Sequence, residues 1–116
     1  MTTAESAVRY QDGTAIVDLP AQIDSTAENA LTDAYTAAAA HESKTILLNF
    51  ANVEFLSSTG IALIVGILAR GRKDGRAISA SGLSDHYKEI FEITRLSDFM
   101  TIFADENAAL SDGGTR

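Results

Sequence analysis

The run Thr45-Ile46-Leu47-Leu48-Asn49-Phe50 constrains this chain more than any other segment. A strand with one wet face alternates apolar and polar residues, whereas a short, almost continuous apolar run reads as a central strand covered on both faces. Covering it takes helices, and helical patterns flank it. Before it, Ala27 to His41 is rich in alanine, with Ala30, Leu31, Ala34, Tyr35 and Ala38 on one face. After it, Ala51 to Leu56 reads as a loop. Ser57 or Ser58 then caps a second helix running to about Lys73, and Ala77-Ile78-Ser79-Ala80 is the next strand. Strand, helix and strand at this spacing make a right-handed βαβ unit with parallel strands.

The rest of the chain extends that unit. Ala7 to Tyr10 and Thr14 to Leu19 form a hairpin about the Gln11-Asp12-Gly13 turn, which Pro20 ends. Ile23 is expected to pack inward. Asp24, Ser25 and Thr26 offer cap oxygens for the first helix, with Glu28 completing a capping box from Ser25. Gly71 and Gly75 mark the fraying end of the second helix. Ser84 caps a third, Asp85 to Thr94, with Tyr87, Ile90 and Phe91 on its apolar side and Ile93 a further candidate. Phe99 to Phe103 is a last strand, and Asp105 to Leu110 adds a helical turn or two. The order ββαβαβαβα predicts an α/β fold, a mixed sheet of four to five strands packed with about four helices. Its 116 residues suit one core. The domain is expected over 7–110, between a flexible N-terminus (1–6) and a disordered tail (111–116).

Charge narrows the partners. A formal net charge of −7 argues against nucleic acid, whose phosphates demand a basic footprint, and against an anionic membrane surface. It suits a basic protein surface. Without cysteine there is no disulfide, thiolate metal site or cysteine nucleophile. The first residues lack the basic and apolar regions of a signal peptide. The longest apolar run, Ile61 to Ala69, is about half of the roughly 20 residues that span a bilayer. A cytoplasmic protein is the expectation.

Signals for chemistry are sparse. His41 and His86 have no metal-ligand spacing, so neither a metal nor a cofactor is expected. No phosphate-cradling Gly-Lys-Ser/Thr loop or dinucleotide glycine pattern is present. Arg70, Arg72, Lys73 and Arg76 form a basic cluster that complements a helix C-terminus. The chain reads as a substrate of catalysis rather than a catalyst.

The start of the second helix carries the functional reading. Ser57, Ser58 and Thr59 place three hydroxyls ahead of Gly60, and Ile61 opens a body that is apolar all round. Such a helix is either buried or partly reserved for a partner. Its N-terminus offers unpaired N–H groups and a positive partial charge, so a phosphate there is tolerated while adding bulk and charge. The plainer reading is that the serine caps the helix and Gly60 permits close packing. Asp24 and Glu54 are candidates for a partner contact, against the plainer roles of capping and solvating loops.

Across residues 8 to 108 the arrangement resembles the STAS domain, specifically bacterial anti-sigma factor antagonists. The resemblance rests on Thr45-Ile46-Leu47-Leu48-Asn49-Phe50 followed by Val53-Glu54-Phe55-Leu56-Ser57-Ser58-Thr59-Gly60-Ile61. Gly82-Leu83, Ile90-Phe91 and Leu96 extend it. The family pattern is an apolar strand ending in Asp or Asn, a short loop, and Asp-Ser-Ser/Thr-Gly opening an apolar helix. The resemblance implies a cycle in which an anti-sigma factor serine kinase phosphorylates the antagonist. The unphosphorylated form binds that kinase and frees a sigma factor, and a phosphoserine phosphatase resets the modified form.

Carried onto this chain, the resemblance makes Ser58 the phosphoacceptor. The candidate partner-binding residues are Ser57, Ser58, Thr59, Gly60 and Ile61 at this helix start, with Asp24 added because it opens another helix. The protein would be a bacterial stress-response regulator of transcription, a monomer or weak dimer. One departure stands out: Ser57 occupies the position of the family's usual aspartate. Two other readings remain, a STAS interaction subunit of a transport or sensory complex without a phosphorylation cycle, and a small-ligand-binding sensor.

Overall fold

A computed structural model describes residues 7–11 and 13–114. The readings for 1–6, for Asp12 in the first turn and for 115–116 lie outside the described residues. The central sheet has the order β1 (Ala7–Gln11), β2 (Thr14–Asp18), β4 (Thr45–Asn49), β6 (Ala77–Ser81) and β7 (Thr101–Phe103). β1 pairs antiparallel with β2, and the remaining pairings are parallel, so the sheet is mixed. Among the described residues, four α-helices accompany it: α1 (Glu28–Ala40), α2 (Ser58–Asp74), α3 (Asp85–Ile93) and α4 (Glu106–Gly114).

The apolar run of β4 is covered on both faces. Ile46 and Leu48 join Ala15, Val17, Ile78 and Ala80 in the main core, where Leu31, Tyr35, Ile64 and Phe91 come from α1, α2 and α3. Leu47 points the other way and packs with Ile16, Phe103, Ala109 and Leu110 in a smaller cluster that α4 covers. α4 is tied down at its start. Arg9 of β1 bridges Asp18 of β2 and Glu106 of α4, each at 2.6 Å, and Asn49 Nδ2 donates to Asp18 at 2.8 Å. Those donors hold the Asp18 carboxyl below its usual range, the Arg9 guanidinium first among them.

Several local expectations change. A second, two-stranded parallel sheet pairs β3 (Gln22–Ile23) with β5 (Phe55–Leu56), inside segments read from the sequence as connections. The capping box does not form. Asp24 instead caps a 3₁₀ turn, Ser25–Ala27, and α1 starts behind it with Ala27 in the cap position and no side-chain cap.

Gly71 is no fraying point, because it sits buried in α2 where a Cβ would come within 2.7 Å of the Ile78 side chain. Gly75 ends α2 in the left-handed region, at φ 76°, where a side chain would be strained. Ile93 is 72% exposed because it lies on the far side of α3 from the buried Phe91. The last strand begins at Thr101 rather than Phe99, and a 3₁₀ turn, Leu96–Asp98, precedes it. α4 continues to Gly114, past the Leu110 at which the sequence reading ended it. Among the described residues, no helix is long and apolar enough to cross a membrane.

Candidate functional site

The β3–β5 ladder builds the site. Its register sets Ile23 beside Leu56, bringing the end of β3 against the first residues of α2. Ser57, half-buried, is the N-cap: its Oγ accepts from the Gly60 N–H at 3.0 Å, as a short hydroxyl side chain does at this position. The same hydroxyl donates to the Ile23 carbonyl at 3.3 Å, and the Ser57 N–H donates to that carbonyl at 3.0 Å. Gly60 is buried against this point, where a Cβ would overlap the carbonyl oxygen and approach its carbon to 2.8 Å. A hydrogen atom is the only side chain that fits.

Ser58 and Thr59 face solvent in the first turn of α2. The N–H groups of Gly60 and Ile61 are spent on Ser57. Those of Ser58 and Thr59 find no acceptor among the described residues. The first turn carries no acidic side chain. Unpaired donors and the helix dipole therefore favour an anion at Ser58. Ile61 is half-buried and packs against the main core, which fixes the helix's rotation about its axis.

Asp24, directly after Ile23, is brought to the same end of the molecule. Its carboxylate accepts from the Thr26 hydroxyl at 2.5 Å and the Thr26 N–H at 2.9 Å, and these bonds lower its pKa. All six candidate residues thus gather where β3, β5 and α2 meet. Glu54 is exposed, and its N–H donates to the Ala21 carbonyl at 2.7 Å. The histidines stand apart: His41 stacks on Tyr10 at the end of α1, and His86 packs edge-on to Tyr87 in α3. Among the described residues, no three metal-ligating side chains cluster.

Two contributors escaped sequence reasoning. The Tyr87 hydroxyl, from α3, accepts from the Leu56 N–H at 3.0 Å and ties the approach to α2 down from the other side. Nothing local in the sequence links these residues, 31 positions apart. Phe55, beside it, is 50% exposed. The signal for Phe55 was a large aromatic in a segment otherwise read as loop. On α2, Ala62 and Val65 also face solvent, so the apolar circumference read from the sequence is divided between core and surface.

Comparison with known proteins matches this frame. The STAS domain family model matches residues 5–109. A curated relative, the anti-sigma-B factor antagonist of Staphylococcus aureus, is 37% identical over 57 residues. That match spans 49% of this chain and 53% of the relative, so the chain spans about half the length of the curated relatives it matches. Among solved structures, the phosphorylated form of Bacillus SpoIIAA superposes with a TM-score of 0.69 at 19% identity, covering 90% of this chain and 96% of that one. A sulfate transporter family protein from Wolinella succinogenes gives 0.81 at 15% identity, covering 92% and 89%. At such identities these two likenesses speak for the fold alone. With the family model spanning nearly the whole described domain, the chain belongs to the STAS domain family.

Proposed function

We propose that this protein is an anti-sigma factor antagonist switched by phosphorylation of Ser58. The observation that carries the reading is the setting of that hydroxyl. Ser58 is exposed on a helix start that Ser57, Gly60 and the Ile23 carbonyl hold in one position, beside unpaired N–H donors and with no acidic side chain in the first turn of α2. A phosphate there gains the helix N-terminus as a partner, so the fold survives modification. The surface does not stay the same. Roughly −1.5 to −2 charges arrive where a partner would have to sit flush.

The partner is an anti-sigma factor that is itself a serine kinase, and a phosphoserine phosphatase reverses the change. The kinship with a protein named as an anti-sigma-B factor antagonist supports an anti-sigma factor as the partner. Ser57 supplies the cap that an aspartate would otherwise supply, and Asp24 is the carboxylate that the fold brings to the same end.

The experiment compares Ser58→Ala and Ser58→Asp for binding to the cognate kinase-type anti-sigma factor by calorimetry. Ser58→Ala is expected to bind and Ser58→Asp to lose binding; equal affinities would overturn the switch. Intact-mass analysis with kinase and ATP assigns the acceptor. Phosphate that persists in Ser58→Ala and disappears in Thr59→Ala would move the site to Thr59.

A further inference from the structure

The other end of α2 carries a second feature, roughly 10–20 Å along the helix from Ser58 at 1.5 Å per residue. There the helix, the start of β6 and the Leu96–Asp98 turn enclose an open groove of about 770 Å³. That volume falls within the roughly 300–1,000 Å³ of small-molecule sites. Its floor is apolar and buried, made by Leu68, Ile78 and Met100. Its rim holds two large apolar side chains in water, Val65 at 45% and Phe99 at 57% exposure.

The charges around this groove do not cancel. Arg72, Arg76 and Asp98 line it. Asp98 is taken by Arg95, whose Nε donates to it at 2.7 Å. Arg76 donates to the Ser43 and Ala39 carbonyls at the C-terminal end of α1, so its guanidinium is already engaged there. Arg72 meets no carboxylate among the described residues, and its guanidinium stands 5.8 Å from the centre of the Phe99 ring. A chain with a net charge of −7 thus sets one cation without a carboxylate partner, Arg72, beside an apolar-floored groove.

We propose that this groove binds a small amphiphile with an apolar chain and an anionic head, in its simplest form a medium-chain carboxylate. The chain lies along Leu68, Ile78 and Met100 under the Val65 and Phe99 rim, and Arg72 takes the carboxylate. A neutral apolar ligand would leave Arg72 unmatched, and a cationic one would be repelled. The site is separate from Ser58 and stands whether or not Ser58 is phosphorylated.

The test is titration of decanoate into the ¹⁵N-labelled protein, followed by two-dimensional NMR. Saturable shifts are expected around Val65, Arg72, Ile78 and Phe99. Decyltrimethylammonium should bind on the order of tenfold more weakly, the loss of one charge-assisted hydrogen bond. Arg72→Gln, a surface change checked for an unaltered Tm, should weaken decanoate by about the same factor and leave decanol unchanged. No saturable shifts at the groove, equal affinity for the cationic amphiphile, or an Arg72→Gln variant that binds decanoate like the wild type would each overturn the assignment. Tighter binding of an acidic Leu-Glu peptide than of decanoate would give the groove to a protein partner instead.

Discussion

Gly60 and the Ile23 carbonyl meet with no room for a methyl group between them. The neighbour is backbone in a paired strand, and a built Cβ would also press on Leu56 Cδ1 at 2.9 Å, so little can yield. Gly60→Ala is therefore expected to cost about 3 kcal/mol, the upper part of the range for overpacking. That corresponds to a Tm lower by about 10 °C. Calorimetric melting checks it. A melting point unchanged from the wild type would mean that α2 and β3 are not held together this closely.

Tyr87→Phe removes the acceptor of the Leu56 N–H while leaving the ring in place. An unpaired buried donor costs about 1–3 kcal/mol. The expected readout is local: faster amide exchange at Leu56, and weaker binding of any partner that reads the start of α2. Exchange at Leu48, in the centre of the sheet, should change far less.

Ser58→Asp should be more stable than Ser58→Asn by about 0.3–1 kcal/mol at low salt, since the carboxylate meets a helix N-terminus with no acid in its first turn. Adding 1 M salt should shrink the gap by screening. Denaturant titration of both variants at the two salt concentrations measures it.

Asp18 links β2, β1 and β4, and its depressed pKa gives stability a pH dependence. The group's unfolded pKa is about 3.9. With the folded value below that, its contribution is full above the unfolded pKa and is lost as pH falls through the folded one. Asp18→Asn should thus be less stable than the wild type by roughly 1 kcal/mol at pH 7. The two melting curves should converge once pH has fallen through the folded pKa.

Sequence and structure agree where one segment decides its own fate. The β4 run declared two-sided burial because every second residue needs its own cover, and Leu47 finds it under α4 while Ile46 and Leu48 find it in the main core. Ser84 was legible as a cap, and Ser57 as one of two candidates beside Ser58, because their partners lie three residues on, at Tyr87 and Gly60. The β3–β5 ladder was not legible. Two residues carry no periodicity, and Gln22–Ile23 pairs with a segment more than thirty positions away. Asp24 illustrates the same limit: its side chain turned to Thr26, and the capping box that Ser25 and Glu28 could have made was left unused. Gly71 looked like the fraying end of a helix in isolation, and the Ile78 side chain of β6 packed against it gave it a packing role instead.

The three-residue length of β7 has a consequence for life in a crowded solution. This strand is an outer edge of the central sheet, pairing with β6 from Ser79 to Ser81 and exposing its free side over Thr101–Phe103. An edge this short is a poor template for adding strands from neighbouring copies, so end-to-end polymerisation has little to start from. The partner exchange proposed above needs the protein to stay dispersed while its helical surface remains uncovered. At this edge the truncation allows that, leaving association there to side chains rather than to the backbone.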